Sequence, residues 1–333
     1  MTTALTRRTL LSLCGGVTLA GAMAGALRAE GLTSPVPAVP AGSPALPFAL
    51  TTPLHVGEVC LKARDIGLLK GYYQKMLGFE ILAESADEVT LGAGGTPLLH
   101  LVSRPEADFE AGGEAGLYHT AFLMPSRADL ARWLVHVAMS DIPLVGFADH
   151  SVSEAVYLAD PEGNGIEVYS DRSKEGWIWN EGRVTMGTKE LDIEDILQKT
   201  GTPTDRNTYA GIPAALRIGH IHLRVGALEA ARGFYQAGIG LDVVAGDDQR
   251  GATFLSSGRY HHHVGANVWE SENAGQRKEN ATGLNWFSLS TADETLIAAR
   301  RSDLAAKGFA VTEIEAGIEA KDPWGTRVRL VKA

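Results

Sequence analysis

The sequence predicts an α+β protein of four βαβββ units arranged as two tandem domains, and three observations predict it. The first is an internal duplication. VGEVCLKARD from Val56 returns as IGHIHLRVGA from Ile218, YYQKMLGFEIL from Tyr72 as FYQAGIGLDVV from Phe234, and DPEGNGIEV from Asp160 as DPWGTRVRL from Asp322. The spacing between partners is identical in all three pairs, and a repeat of this length is a whole domain rather than a solenoid unit. The second is a restart inside each half, where a strand, a helix and short strands are followed by the same order again. The third is bulk: 333 residues, 45% hydrophobic and 21% charged, suit two ordinary soluble domains.

The elements follow in order. Arg7 and Arg8 precede an apolar run from Leu10 to about Ala26, with Ala24, Ala26 and Ala29 suited to signal-peptidase cleavage. TRRTLL resembles a twin-arginine export signal, so residues 1–29 read as a signal and the destination as periplasmic. An ordinary secretory signal or an uncleaved anchor is the competing reading. The run is short for a membrane span, which needs about 20 apolar residues, so no stable membrane insertion is expected after cleavage. Residues 30–52 are rich in Pro, Ala and Ser without a period and read as a linker.

The first half spans 53–171. A strand over 56–63 precedes a helix with apolar Ile66, Leu69, Tyr73 and Leu77, ended by Gly78 as a C-terminal glycine ends one. Strands are expected over 79–84, 88–92 and 97–103. The second unit opens with a strand over 118–124, and Ser126 is placed to cap a helix over 127–139. Strands near 144–147, 154–159 and 165–170 complete it. Residues 172–216 read as a connection with a helix over 193–200, and the second half, 217–333, repeats the order with a restart near Leu284.

Charge and cysteine content narrow the function. A net charge of −10 without a Lys/Arg-rich block argues against nucleic acid as partner. Of the two cysteines, Cys14 lies in the signal, so a cleaved chain keeps only Cys60 and forms no intrachain disulfide. Cys60 sits in an apolar strand and reads as a buried thiol.

Three positions carry the chemistry: His119 in LYHTAFLM, Glu167 in NGIEVYSD and His220 in IGHIHLRV. Two imidazoles and a carboxylate on rigid strands suit a divalent metal and leave open positions for small molecules. Each alone is a weak signal, since a lone strand histidine is more often a structural residue than a ligand, but the repeat adds weight. Glu167 has Arg329 as its counterpart, His220 has Glu58, and Trp286 falls near the position of His119. One complete set and one broken set are what a duplicated metal domain with one surviving site leaves.

These motifs resemble the vicinal oxygen chelate superfamily, which includes glyoxalase I, bleomycin-resistance proteins and extradiol dioxygenases. The resemblance covers nearly all of 54–331. It is closest to the two-domain catechol 2,3-dioxygenase-like branch through GLYHTAFLMPSRADLARWL, DHSVSEAVYLADPEGNGIEVYSDR, IGHIHLRV and RYHHHVGANVW. It implies tandem glyoxalase-like domains, with the site built by units two and three across the domain junction. It also implies Fe(II) held by His119, His220 and Glu167, with Mn(II), Ni(II) or Zn(II) as alternatives, and a small aromatic diol and O2 as partners.

The resemblance further assigns roles around the metal. His150 matches a donor to the oxygenated intermediate, and Tyr157 a group bonding the substrate oxygen. Within RYHHHVGANVW, strand alternation puts His261 and His263 on one face and His262 on the other. The motif match favours His263 as the catalytic histidine facing the metal, while the repeat spacing from His100 points to His262. His222 shares the face of His220, and Asn267 and Trp269 are candidates for the pocket wall. His55, His100 and His136 read as incidental.

The expectation is an Fe(II)-dependent extradiol dioxygenase acting on a catechol-like aromatic, with a homo-oligomer compatible with the sequence. Its competitors are a glyoxalase-like isomerase or lyase, which prefers a second glutamate among its ligands, and a non-catalytic binding protein of the same fold.

Overall fold

The computed structural model describes residues 46–333; the expected export signal and the start of the expected linker lie outside the described residues. In the first unit, β1 (His55–Ala63) leads into α1 (Ile66–Leu77), β2 (Glu80–Glu84), β3 (Glu88–Ala93) and β4 (Thr96–Ser103). Asp65 caps α1 by accepting from Leu68 N, and Gly78 closes it at φ 79°, a left-handed position that costs a glycine little. The second unit holds β5 (Gly116–Leu123), α2 (Arg127–Met139), β6 (Gly146–Asp149), β7 (Ser153–Ala159) and β8 (Gly165–Asp171). Ser126 caps α2 through Asp129 N. The strand expected over 144–147 falls two residues later, because Gly146 pairs with Tyr157 while Leu144 packs into the core.

The connection carries β9 (Trp179–Asn180), β10 (Arg183–Val184) and α3 (Ile193–Thr200). The third unit contains β11 (Arg217–Arg224), α4 (Leu228–Tyr235), β12 (Asp242–Asp247), β13 (Ala252–Ser256) and β14 (Val264–Asn267). The fourth contains β15 (Gly283–Thr291), α5 (Glu294–Ala306), β16 (Val311–Ile314), β17 (Gly317–Lys321) and β18 (Arg327–Lys332). Among the described residues, no helix is long and apolar enough to cross a membrane.

The strands form two eight-stranded sheets, and each takes one unit from each sequence half. Units one and four give the order β16-β17-β18-β15-β1-β4-β3-β2; units three and two give β12-β13-β14-β11-β5-β8-β7-β6. Each sheet is thus two modules joined edge to edge by their first strands, β1 with β15 and β11 with β5, both antiparallel. Within a module the first strand runs parallel to the last, as β5 does to β8. This arrangement puts the first strands of units two and three at the centre of one sheet, beside the strand that carries Glu167.

The helices pack apolar faces against the sheets. Trp133 of α2 is fully buried and donates its indole N–H to Met76 O of α1 at 2.8 Å, tying the first two units together. Truncating such a residue to Ala costs about 3–5 kcal/mol. Tyr73, Phe79 and Phe122 meet edge to face at the same junction.

The linker reading ends sooner than the sequence suggests. Phe48–Thr51 forms a 3-10 turn with Ala49 fully buried, and Phe48 packs against Trp177 and Tyr260. The connection is likewise more than a spacer. Lys189 pairs with Asp149 beyond the edge strand β6, and Arg183 donates to Gly246 O of β12 at 3.1 Å at the opposite edge. The connection therefore reaches both edges of the second sheet.

Candidate metal centre

His119 stands on β5, His220 on β11 and Glu167 on β8. His222 is the direct cross-strand partner of His119, His220 pairs with Ala121, and Ala121 pairs with Glu167. Side chains two apart on a strand share a face, so His119, Ala121, His220, His222 and Glu167 converge on one side of the sheet. All three candidate ligands are buried, and their ligand atoms lie within 4.8 Å of one another. Glu167 Oε2 is 3.0 Å from His119 Nε2 and 3.3 Å from His220 Nε2.

The donor set fits a divalent transition metal. Burial would raise the Glu167 carboxyl, but His220 and His119 outweigh it and hold the group well below the usual carboxylate range. Burial brings His220 down to about 4 against the pull of Glu167. An ionised carboxylate and a neutral imidazole are the protonation states a metal requires. His119 Nε2 is enclosed, and although it lies 3.0 Å from Glu167 Oε2 it is not aligned for a hydrogen bond with it or any other described residue. A buried polar atom normally has a partner; an ion between the three side chains would supply it.

The surrounding histidines divide into two groups. His262 packs tilted against His220 with ring centroids 4.0 Å apart, and its Nδ1 meets His261 Nδ1 at 2.8 Å. His261 Nε2 in turn lies 2.9 Å from Asp171 Oδ1. Where a neutral His261 donates from Nε2 to Asp171, its Nδ1 is an acceptor and His262 Nδ1 is the donor to it. His262 Nε2 then holds a lone pair. His263 turns away from this group. Ser257 N donates to its Nδ1 at 3.2 Å, so its Nε2–H points to Ala49 O at 3.1 Å and Thr52 Oγ1 at 3.2 Å. The geometry therefore reverses the preference for His263. Residues 261–263 lie in a bend before β14 rather than in a strand, so alternation does not govern them and adjacent rings, 261 and 262, both face His220.

On the other flank, Tyr157 lies opposite Glu167 across β7 and β8, with its ring 5.6 Å from His119. Its hydroxyl meets His150 Nε2 at 2.6 Å, and His150 Nδ1 donates to Gly187 O at 2.7 Å. Burial, then the neighbouring Glu167, raise the Tyr157 phenol well above 10, so it stays protonated. Asp171 and Gly187 were not identifiable from sequence, and His261 stood out there only as sharing a face with His263. Asp171 and Gly187 are ordinary residue types far in the chain from the rings they meet, and no spacing signals those contacts.

The equivalent face of the other sheet is chemically closed. Glu58 hydrogen-bonds His100, Arg329 stacks on Trp286 at 4.0 Å, and Glu319 accepts from Arg329 Nε at 2.8 Å. Among the described residues, His119, Glu167 and His220 form the one cluster suited to a metal.

Paired βαβββ modules with an inward-facing two-histidine, one-carboxylate cluster define a metalloprotein class built by module duplication. The chain belongs to the Glyoxalase/Bleomycin resistance protein/Dioxygenase superfamily, whose model matches residues 55–168 and 217–330. It is 37% identical over 274 residues to the catechol-2,3-dioxygenase of Bacillus subtilis (strain 168), covering 81% of this chain and 94% of that protein. A solved putative dioxygenase from Bacillus subtilis has a similar fold, with TM-score 0.59 at 13% identity over 84% of this chain and 85% of that one. Glyoxalase I from Zea mays is similar at TM-score 0.53 and 13% identity, over 86% of this chain and 94% of that one.

Proposed function

We propose that this protein is an Fe(II)-dependent extradiol dioxygenase that opens the ring of a catechol-like aromatic next to its two hydroxyls. The observation that carries the reading is the buried His119–His220–Glu167 cluster with a lone-pair imidazole on one flank and a protonated phenol on the other. The catechol-2,3-dioxygenase relative supports the same class. Fe(II) in this cluster would supply electron transfer between the diol and dioxygen.

The chain's own residues do the rest. His262 Nε2, directed by the Asp171–His261 pair, takes a proton from a catechol hydroxyl. Across the cluster, Tyr157 and His150 share one short hydrogen bond; a proton taken up at His150 Nε2 frees the phenol to donate its own to an oxygen there. Two proton-handling groups beside different ligands let one side accept while the other donates. His263 belongs to the supporting frame in this reading.

A glyoxalase-type reaction calls for a second carboxylate, and among the described residues only Glu167 joins the cluster. The test is oxygen uptake by protein reconstituted anaerobically with Fe(II), on mixing with catechol. Stoichiometric uptake with a yellow ring-opened product supports the proposal. A tightly bound metal with no uptake on any diol overturns it.

A further inference from the structure

His222 has no role in the proton steps above, yet it is one of the most closely specified side chains near the cluster. It is 4% exposed and faces His119 with ring centroids 5.0 Å apart. Its Nε2 lies 3.0 Å from Nδ2 of the fully buried Asn267. The orientation of that amide is pinned, because Asn267 Oδ1 accepts from Trp269 N at 3.4 Å. The ring also lies flat against Gly265, where a Cβ would come within 2.9 Å of Cγ. A glycine there makes room for an imidazole.

These contacts decide the tautomer. Asn267 donates to Nε2, so the neutral ring carries its proton on Nδ1. No described residue accepts that proton. The rings around His222 are those of His119, Tyr118, Phe254 and Trp269. The titratable groups that act on it most are His119, His220, Glu167 and His150, with no Lys or Arg among them. A single neutral donor, set in an aromatic wall beside the cluster, recognises one kind of group: an uncharged hydrogen-bond acceptor. A carboxylate brought there would lose its hydration with no cationic side chain to pair with it.

We infer that His222 is a specificity-determining residue that donates from Nδ1 to an uncharged acceptor substituent, such as a methoxy or acyl oxygen, on the ring of the diol substrate. This rests on the dioxygenase reading and names the substrate class of that same site. Asn267 acts through His222 and is a positioning residue.

The test compares methoxy- with ethyl-substituted catechols, which match in heavy-atom count but differ in the acceptor, and adds carboxy-substituted ones, each at ring positions 3 and 4. Dissociation constants are measured anaerobically on the full chain loaded with redox-inert Zn(II), alongside oxygen uptake by the Fe(II) form. One neutral hydrogen bond should favour methoxy over ethyl about fivefold at one of the two positions, with the carboxylate weakest. In His222→Phe, whose planar ring Gly265 can accommodate, the ratio should fall to about one. Equal binding of methoxy and ethyl forms by the unaltered protein overturns the inference whether or not the variant folds. So does tightest binding of the carboxylate, or an unchanged ratio in His222→Phe. A methoxy preference that vanishes in the variant while no diol is opened would leave the inference standing and sink the reaction instead.

Discussion

His263 separates frame from chemistry, so replacing it tests the site assignment directly. In His263→Leu the side-chain volume is roughly conserved, and the loss is polar. Ser257 N loses its acceptor at 3.2 Å and Ser256 Oγ its partner at 3.0 Å, together about 2 kcal/mol. Ala49 O loses the Nε2–H donor but keeps Thr52 Oγ1 at 2.8 Å, a loss of about 1 kcal/mol. The sum is about 3 kcal/mol, or a drop of about 1 M in the urea midpoint. Acid supplies a second reading. Burial holds His263 at about 3 against an ordinary 6.5. Its folded pKa is depressed, so its stabilising contribution is full above 6.5 and is lost as pH falls from there toward 3. The gap between parent and variant should therefore narrow by about 2 kcal/mol between pH 7 and pH 5. Urea titrations of chelator-treated protein at both pH values, followed by tryptophan fluorescence, measure both effects. Metal-loaded His263→Leu should open catechol at a rate within about twofold of the parent. A variant that keeps its urea midpoint but loses activity a hundredfold would return His263 to the active site and refute this reasoning.

Glu167→Ala should weaken metal binding roughly a hundredfold or more, because it removes the only carboxylate of the cluster, while Arg329→Ala in the closed face should not; metal content after dialysis reads both. Asp171→Ala removes the acceptor that sets the His261 and His262 tautomers, so kcat/KM on catechol should fall about tenfold to a hundredfold with metal content unchanged. In the parent, burial and then the neighbouring imidazoles depress His262 well below 6.5. The base thus stays neutral as pH falls through 6.5, and the acid limb of kcat/KM should lie below the ordinary imidazole range. Glu154, buried between Arg127 and Arg172, anchors β7 next to α2. Glu154→Gln should cost about 2 kcal/mol in urea titration, less than a fully buried pair because Arg172 is open to water.

Much of the fold was legible because its signals are local. The helices at 66–77, 127–139 and 193–200 appear with the bounds their apolar spacing and caps indicate. A side chain's burial face along a helix depends on its own neighbours, and so does a glycine's tolerance of positive φ at Gly78. The bend at 261–263 was not legible, since a run of three histidines carries no sign of where the strand begins. Phe48–Thr51 was hidden in the same way. Its composition is that of a linker, and only contact with His263, Trp177 and Tyr260 orders it.

By itself the sequence determined the duplication, the four-unit order and the three candidate ligands, none of which is matched by the same residue type in its counterpart unit. Such inferences compare one stretch of chain with another and need no contact. Tertiary structure decided that units two and three share a sheet, so that β11 pairs with β5 and brings His220 beside Glu167. It also decided that His262 rather than His263 adjoins the cluster, and that Asp171, Gly187 and Asn267 direct the imidazoles. Tautomers and donor directions depend on which groups meet across long stretches of chain, and a hydrogen bond over 37 to 90 residues leaves no periodicity in the sequence.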